Sequence, residues 1–306
     1  RPLHSFQDLE VYQKALEWAK KMGDYLVYES LTPNEGAYPR FTRSTGNNSD
    51  FPIRRSSQGD AEYGENVIEP DKGGIAGYAL VKLYEATRER RYLEQAIRNA
   101  DDLMKNMRAG NASRAPWPFR VDAVTGTSWG ERNDNMAFIL RLFDALLAKG
   151  HDKYQEPRND LWSWIKNYQI PAPDAGSENL WIQFFEDFAV EDNRNSWAPL
   201  EMARYLIEKR DTLDSDWYRD AEKLIQFSLT YFSVAKNGGV TLMCEQDTDM
   251  RPWGGACSKL GAVAALFYAA GGPERCREIA YRNLGVCPSN RFFRIHSSKF
   301  DCNRQA

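Results

Sequence analysis

Apolar positions along this chain follow a long-period pattern of paired helices, with little of the strict alternation that marks half-buried strands. Four segments open on small residues and then run with helical spacing. Gly73-Gly74-Ile75-Ala76 leads into Tyr78-Ala79-Leu80-Val81-Lys82-Leu83-Tyr84, and Asn135-Met136-Ala137-Phe138 leads into Leu140-Arg141-Leu142-Phe143. Ser196-Trp197-Ala198-Pro199-Leu200 leads into Ala203-Arg204-Tyr205-Leu206, and Gly255-Ala256-Cys257 leads into residues 260–267. With Gly74, Asp134, Ser196 and Ala256 as markers, the steps are 60, 62 and 60 residues. A fixed period of this size marks stacked supersecondary units.

Each unit carries a second helix after a short charged turn. Tyr92, Ala96, Ile97, Ala100, Leu103 and Met104 form one apolar face, and Trp217, Ala221, Leu224, Ile225, Leu229 and Phe232 form its counterpart. The first helix of a pair is apolar on several faces and reads as an inner helix; the second keeps charges on one side and reads as an outer one. The pattern therefore predicts an all-α fold: an (α/α) toroid or incomplete barrel of repeated helical hairpins, as one domain over residues 1–306. The hairpins fall near 73–107, 134–168, 196–232 and 255–284, with an N-terminal helix over 6–28. About nine helices are expected in all. The links between pairs are long (roughly 28–72, 108–133, 168–195 and 233–254) and rich in Gly, Pro, Asn, Asp, Arg and Trp. In an antiparallel array these links share one end, so a single loop face at the N-termini of the inner helices is expected to carry the function.

Composition narrows the function classes. Forty basic against 43 acidic residues give a net charge of −3, with no basic field of the kind that nucleic acid or an anionic membrane requires. No apolar run is long enough to span a bilayer. Arg1 begins a chain that reads as already trimmed, so a secreted or periplasmic protein is expected, its leader absent from this sequence. Nine Trp and 15 Tyr exceed what a core needs, and some are expected in a cleft. The five Cys, at 244, 257, 276, 287 and 302, read as buried thiols, with one local disulfide as the alternative. Asn47-Asn48-Ser49 and Asn111-Ala112-Ser113 fit the glycosylation pattern, which is short and common.

The loop face gathers carboxylates, arginines and tryptophans. Asp71, Asp122, Asp134 and Asp192 are the candidate catalytic acids, since glycoside cleavage needs one carboxyl to protonate the leaving oxygen and a second to activate water or attack the sugar. Trp117, Trp129, Trp197 and Trp253 offer stacking faces, and Arg120, Arg132, Arg194 and Tyr63 offer donors for a substrate. For each Asp before a helix, capping is the competing structural role, and for each Trp, packing. With histidine confined to His4, His151 and His296, neither His-based catalysis nor a His-ligated zinc site is supported. There is no glycine-rich phosphate cradle. No cofactor is expected. Glu245-x-Asp247-x-Asp249 leaves calcium as an alternative, without the glycine of a calcium loop.

Residues 79–87 followed by Arg91-Tyr92-Leu93-Glu94-Gln95-Ala96 resemble the hairpin phrase of six-hairpin glycosidases and related α/α-toroid enzymes, a superfamily of glycosidases, α-mannanases and polysaccharide lyases. The likeness spans about residues 70–285 and implies the toroid and a carbohydrate ligand. The chain as a whole also looks like uncharacterised secreted bacterial proteins of that fold. Trp117-Pro118-Phe119 with Asn133-Asp134-Asn135-Met136 is locally similar to toroidal pectic acid lyases. Together the candidate residues and the resemblance imply a glycoside hydrolase on an acidic or substituted glycan, acting through Asp134 with Asp71, Asp122 or Asp192. A lyase on a uronate-containing glycan, with Arg120, Arg132 or Tyr63 as base or neutralising group, and a non-catalytic glycan-binding toroid are the alternatives.

Overall fold

A computed structural model describes residues 10–43, 66–172, 180–181, 194–247 and 249–286. Among these residues nine α-helices carry most of the chain. They are α1 (Glu10–Tyr28), α2 (Pro70–Thr87), α3 (Arg90–Lys105), α4 (Ala137–Leu147), α5 (Gln155–Trp164), α6 (Trp197–Glu208), α7 (Trp217–Phe232), α8 (Gly254–Ala269) and α9 (Glu274–Val286). The chain gathers into two compact units, Arg1–Arg194 and Asn195–Ala306.

In the first unit α2 packs on α3 and on α4, and α1 lies against α2 and α3. Helix α2 starts as its sequence dictates. Pro70 takes the first turn, where its missing N–H costs nothing. The helix stops at Arg88, in a left-handed conformation with φ of 63°. Tyr92, Gln95, Ala96, Asn99, Ala100 and Leu103 form the buried stripe of α3 at the spacing the sequence shows. Helix α5 runs through a short 3-10 turn (Asp152–Tyr154) and ends in a π-helical turn, Ile165–Gln169. A π-turn aims its side chains differently from an α-turn, and such turns concentrate at functional sites.

The links are more ordered than loops of that composition suggest. Strands β1 (Val67–Ile68), β2 (Arg120–Asp122) and β3 (Ser128–Trp129) form an antiparallel sheet, with Val67 opposite Asp122 and Arg120 opposite Trp129. The second unit has its own sheet of β4 (Ser233–Asn237), β5 (Val240–Gln246) and β6 (Asp249–Pro252). Strands β1 to β3, of two or three residues, are shorter than the window in which alternation can be recognised, and the seven-residue β5 is buried on both faces and so does not alternate. Their effect is positional. The β1–β2 pairing brings the segment entering α2 beside the segment entering α4, so both helices begin at one end of the unit. The bridge Asn195–Gln246 and the bond from Ser196 N to Glu245 O do the same for α6 and α8.

The packing is tight where the segment 38–43 crosses α2 and α3. Asn99 accepts from the Thr42 backbone N–H at 3.2 Å and donates to the Gly73 carbonyl at 3.2 Å. Gln95 donates to the Arg40 carbonyl at 2.8 Å. A Cβ on Gly73 would lie 1.9 Å from the Phe41 ring, so only glycine lets this segment seat. Cys244, Cys257 and Cys276 are buried thiols. Cys287, Cys302 and the calcium candidate Asp249's side chain lie outside the described residues.

Asp102 is a buried carboxyl on α3 whose pKa is pushed up to about 7 by desolvation, with Lys105 opposing and Asp101 adding to the rise. A raised acid favours the fold while protonated. Its contribution is therefore full below 3.8 and fades as pH rises towards 7. Asp102→Asn is expected to raise the melting temperature more at about pH 8 than at about pH 5, with roughly 2–4 °C per kcal/mol for a domain of this order of size; calorimetry at the two pH values checks the sign. Gly73→Ala is expected to cost about 1–3 kcal/mol by overpacking against Phe41, read as a lower urea midpoint at unchanged slope.

Candidate functional site

The joined starts of α2 and α4 hold a cluster of buried polar residues. Glu69 stands at the N-cap of α2 but makes no side-chain cap bond. Its carboxylate instead faces the Arg120 guanidinium at 3.4 Å and the Lys72 ammonium at 3.6 Å. Asp71, 2% exposed, accepts the Asn133 amide on Oδ1 at 3.2 Å and the Asn135 amide on Oδ2 at 3.1 Å. Lys72 Nζ lies 3.7 Å from Asp71. Asn133 also donates to the Pro118 carbonyl and accepts from the Asn135 backbone N–H, which fixes the turn around Asp134. Asp134 itself, 1% exposed, sits two residues before the α4 N-cap, which is Met136. Its carbonyl accepts the Gln169 amide at 2.8 Å. The π-turn after α5 thus delivers one residue to the back of Asp134.

This geometry sorts the sequence candidates. Asp71 and Asp134 come together through Asn133 and Asn135. Arg120 joins them through Glu69, and stacks its guanidinium on Phe119 at 4.5 Å. Asp122 is used differently. Its Oδ1 accepts the Val124 and Thr125 backbone N–H groups at 2.9 and 2.8 Å and closes the β2–β3 turn. Trp117 is fully buried, and its indole donates to the Leu103 carbonyl at 3.0 Å, so it offers no open ring face. Trp129 and Arg132 are half-buried on the rim of the same link. Asp192 and Tyr63 lie outside the described residues. Arg194, half-buried, is the last residue of the first unit.

The second unit presents aromatic residues at the starts of α6 and α8. Trp197 and Trp253 pack with ring centroids 5.7 Å apart at 41°, and Trp253 is 41% exposed. The Lys259 ammonium lies 3.7 Å over the Trp197 ring and pairs with Glu201 at 2.6 Å. Asn195 caps α6, accepting the Trp197 and Ala198 N–H groups at 2.8 Å each. Gln169, Glu201 and Lys259 were not among the residues picked out from the sequence. The signal was available for Lys259, the single charge in an otherwise apolar helical stretch, since a charge in such a place needs a partner; Glu201 shares its helix with Arg204 and Glu208 and does not stand out.

Among the described residues no three His, Cys, Asp or Glu side chains converge to hold a metal ion. No helix of those residues is long and apolar enough to cross a membrane.

No protein-family model matches this sequence, and no curated protein matches it. Solved structures do match. A D-mannose isomerase superposes with a TM-score of 0.57 at 13% identity, over 90% of this chain and 70% of its own. A family 76 glycoside hydrolase (mannosidase) from Bacteroides thetaiotaomicron gives 0.56 at 10% identity, over 89% and 71%. Cellobiose 2-epimerase from Spirochaeta thermophila gives 0.51 at 13% identity, over 92% and 73%. These likenesses show the fold alone: the chain has an (α/α) toroid fold like that of these solved structures. The local similarity to pectic acid lyases stands on its sequence phrases alone.

Trp117→Phe keeps the packing volume and removes the indole donor. It is expected to lower stability by about 1 kcal/mol and to leave glycan affinity unchanged, as paired denaturation and binding titrations would show.

Proposed function

We propose that this chain is a carbohydrate-active enzyme, and specifically a glycoside hydrolase in which Asp134 performs the proton transfer. The observation that carries the reading is the buried Asp71–Asn133–Asp134–Asn135 cluster at the joined starts of two inner helices. Cleavage of a glycoside draws on a carboxyl for proton transfer, and Asp134 is the acid whose backbone this cluster holds. Asp71, with both oxygens held by asparagine amides, is the positioning member: it keeps Asn133 and Asn135, and with them the Asp134 backbone, in place. A buried carboxylate can serve as acid or base because its surroundings, rather than bulk water, set its proton affinity.

The neighbours support the substrate class. One α-1,6-mannanase of this fold was solved with α-1,6-mannotriose as an inactive variant, in which two consecutive aspartates are replaced by asparagine. In this chain residues 133–135 read Asn-Asp-Asn, so Asp134 is the one acid of that turn, and Asp71 acts on it by holding its two neighbours. The isomerase and epimerase neighbours suggest the rival chemistry of proton shuttling on a free sugar. Among the described residues the only histidine is His151, packed on Tyr154 in the outer turn before α5, so carboxylates are the proton carriers this cluster offers. Arg120 and Lys72 are matched to Glu69 and Asp71, which weakens the pull on a uronate expected from the sequence. A neutral glycan is therefore the substrate class we favour over an acidic one.

The test is a panel of neutral glycans and polyuronates, read for reducing ends and for the ultraviolet band of unsaturated uronates. Reducing ends without the band are expected, from a neutral glycan. Asp134→Asn should then lower turnover by about 100-fold or more with the melting temperature retained. Appearance of the unsaturated band would replace the hydrolase with a lyase, and binding without turnover across the panel would favour the glycan-binding reading.

A further inference from the structure

On the outer side of the first unit, α3 and α5 leave a groove of about 550 Å³ between them, roofed by residues 107–110 and Pro116. That volume falls within the range of small-molecule sites. We propose that this groove is a binding site for a neutral oligosaccharide, separate from the Asp134 cluster. The carbohydrate reading of the fold enters only in the choice of probes.

The walls are fixed in advance. The Trp164 indole donates to the Asn111 carbonyl at 3.0 Å, and a Cβ on Gly110 would lie 2.3 Å from the same ring, so the roof is seated directly on the tryptophan. Lys153 pairs with Asp101 at 2.5 Å, and Arg108 pairs with Glu131 at 3.0 Å while also donating to the Ala115 and Glu131 carbonyls. The π-turn that carries Tyr168 is held from its other side by the Gln169 bond to Asp134. A ligand entering such a groove has little of it left to order, which is how preformed sites keep their binding energy.

The unengaged groups define the ligand. Both cations lining the groove are spent on carboxylates. Glu156 and Asp160, one helical turn apart on α5, also line it and make no hydrogen bond or ion pair with the described residues. Both side chains are exposed, so water meets them in the empty groove and a ligand's donors would take its place. Tyr168 adds a ring that is 40% exposed at the mouth. Two free acceptors beside an aromatic face suit a ligand that brings adjacent hydroxyl donors and a flat apolar side, which is the surface of a pyranose. The two carboxylates disfavour an anionic ligand. An amino sugar shares the hydroxyl chemistry, and the experiment separates it.

The measurement is calorimetric titration of the Asp134→Asn protein, in which probes are not consumed, with α-1,6-mannotriose, cellotriose and the glucosamine trimer. It is repeated in two further backgrounds, Tyr168→Ala and Glu156→Gln with Asp160→Asn. These side chains are exposed, so unchanged melting temperatures confirm intact folding. A neutral trisaccharide is expected to bind with an affinity that falls about tenfold or more in both backgrounds. Equal binding in all three proteins overturns the proposal, as does no binding of any probe, or binding of the glucosamine trimer alone. Failure of the hydrolase reading looks different: the unmodified protein turns nothing over while groove-dependent binding persists.

Discussion

A carboxylate withdrawn from water must be met by donors from its own fold, and for Asp71 those donors come from a different repeat. The first turn of α2 supplies the acid, and the turn before α4 supplies two asparagine amides. Each partner depends on the other. Without the amides Asp71 would keep only Lys72, 3.7 Å away, and without Asp71 the Asn135 amide would lose its acceptor and Asn133 one of its ties. The contact therefore links the starts of two inner helices and sets the position of Asp134 through its neighbours on both sides. The β1–β2 pairing performs the same joining through the backbone, a few residues upstream.

Around that contact the unit is built from mutual constraints of the same kind. Glu69 is spared from helix capping and faces Arg120 and Lys72 instead. Asn99 reaches from α3 to the carbonyl of Gly73 and to Thr42, closing the crossing segment over α2. Gln169 comes from the π-turn to the carbonyl of Asp134. Each is a buried side-chain amide or carboxylate that meets a group on a neighbouring element, so these helices are held in place by directional bonds as well as by apolar packing. The consequence is rigidity around Asp134, which is what the proton transfer proposed for it would require, since such a group works only if its position is held within fractions of an ångström.

The second unit meets the same end-of-helix problem with different residues. Asn195 caps α6 outright, and the Glu201–Lys259 pair between α6 and α8 lies beneath the Trp197 ring. Where the first unit gathers acids and amides, the second gathers aromatic rings.

The paired helices, their order and their spacing were legible in the sequence because each helix carries its own apolar stripe at a local period, and burial tracks that stripe: Tyr92, Ala96, Ala100 and Leu103 lie where the pattern put them. Asp134 and Asp71 were legible as candidates because both precede or open an inner helix. Their shared asparagines became visible only in three dimensions, since Asn133 and Asn135 stand 62 and 64 residues from Asp71 and nothing local distinguishes a bridging amide from a solvated one. Tertiary structure alone also decided that Asp122 closes a turn, that Trp117 packs without an open face, and that the π-turn points Gln169 at Asp134 and Tyr168 at the groove. The physical reason is common to all of them. Helical periodicity is a property of neighbours along the chain, whereas the role of a polar side chain is set by which distant donor or acceptor burial leaves within its reach.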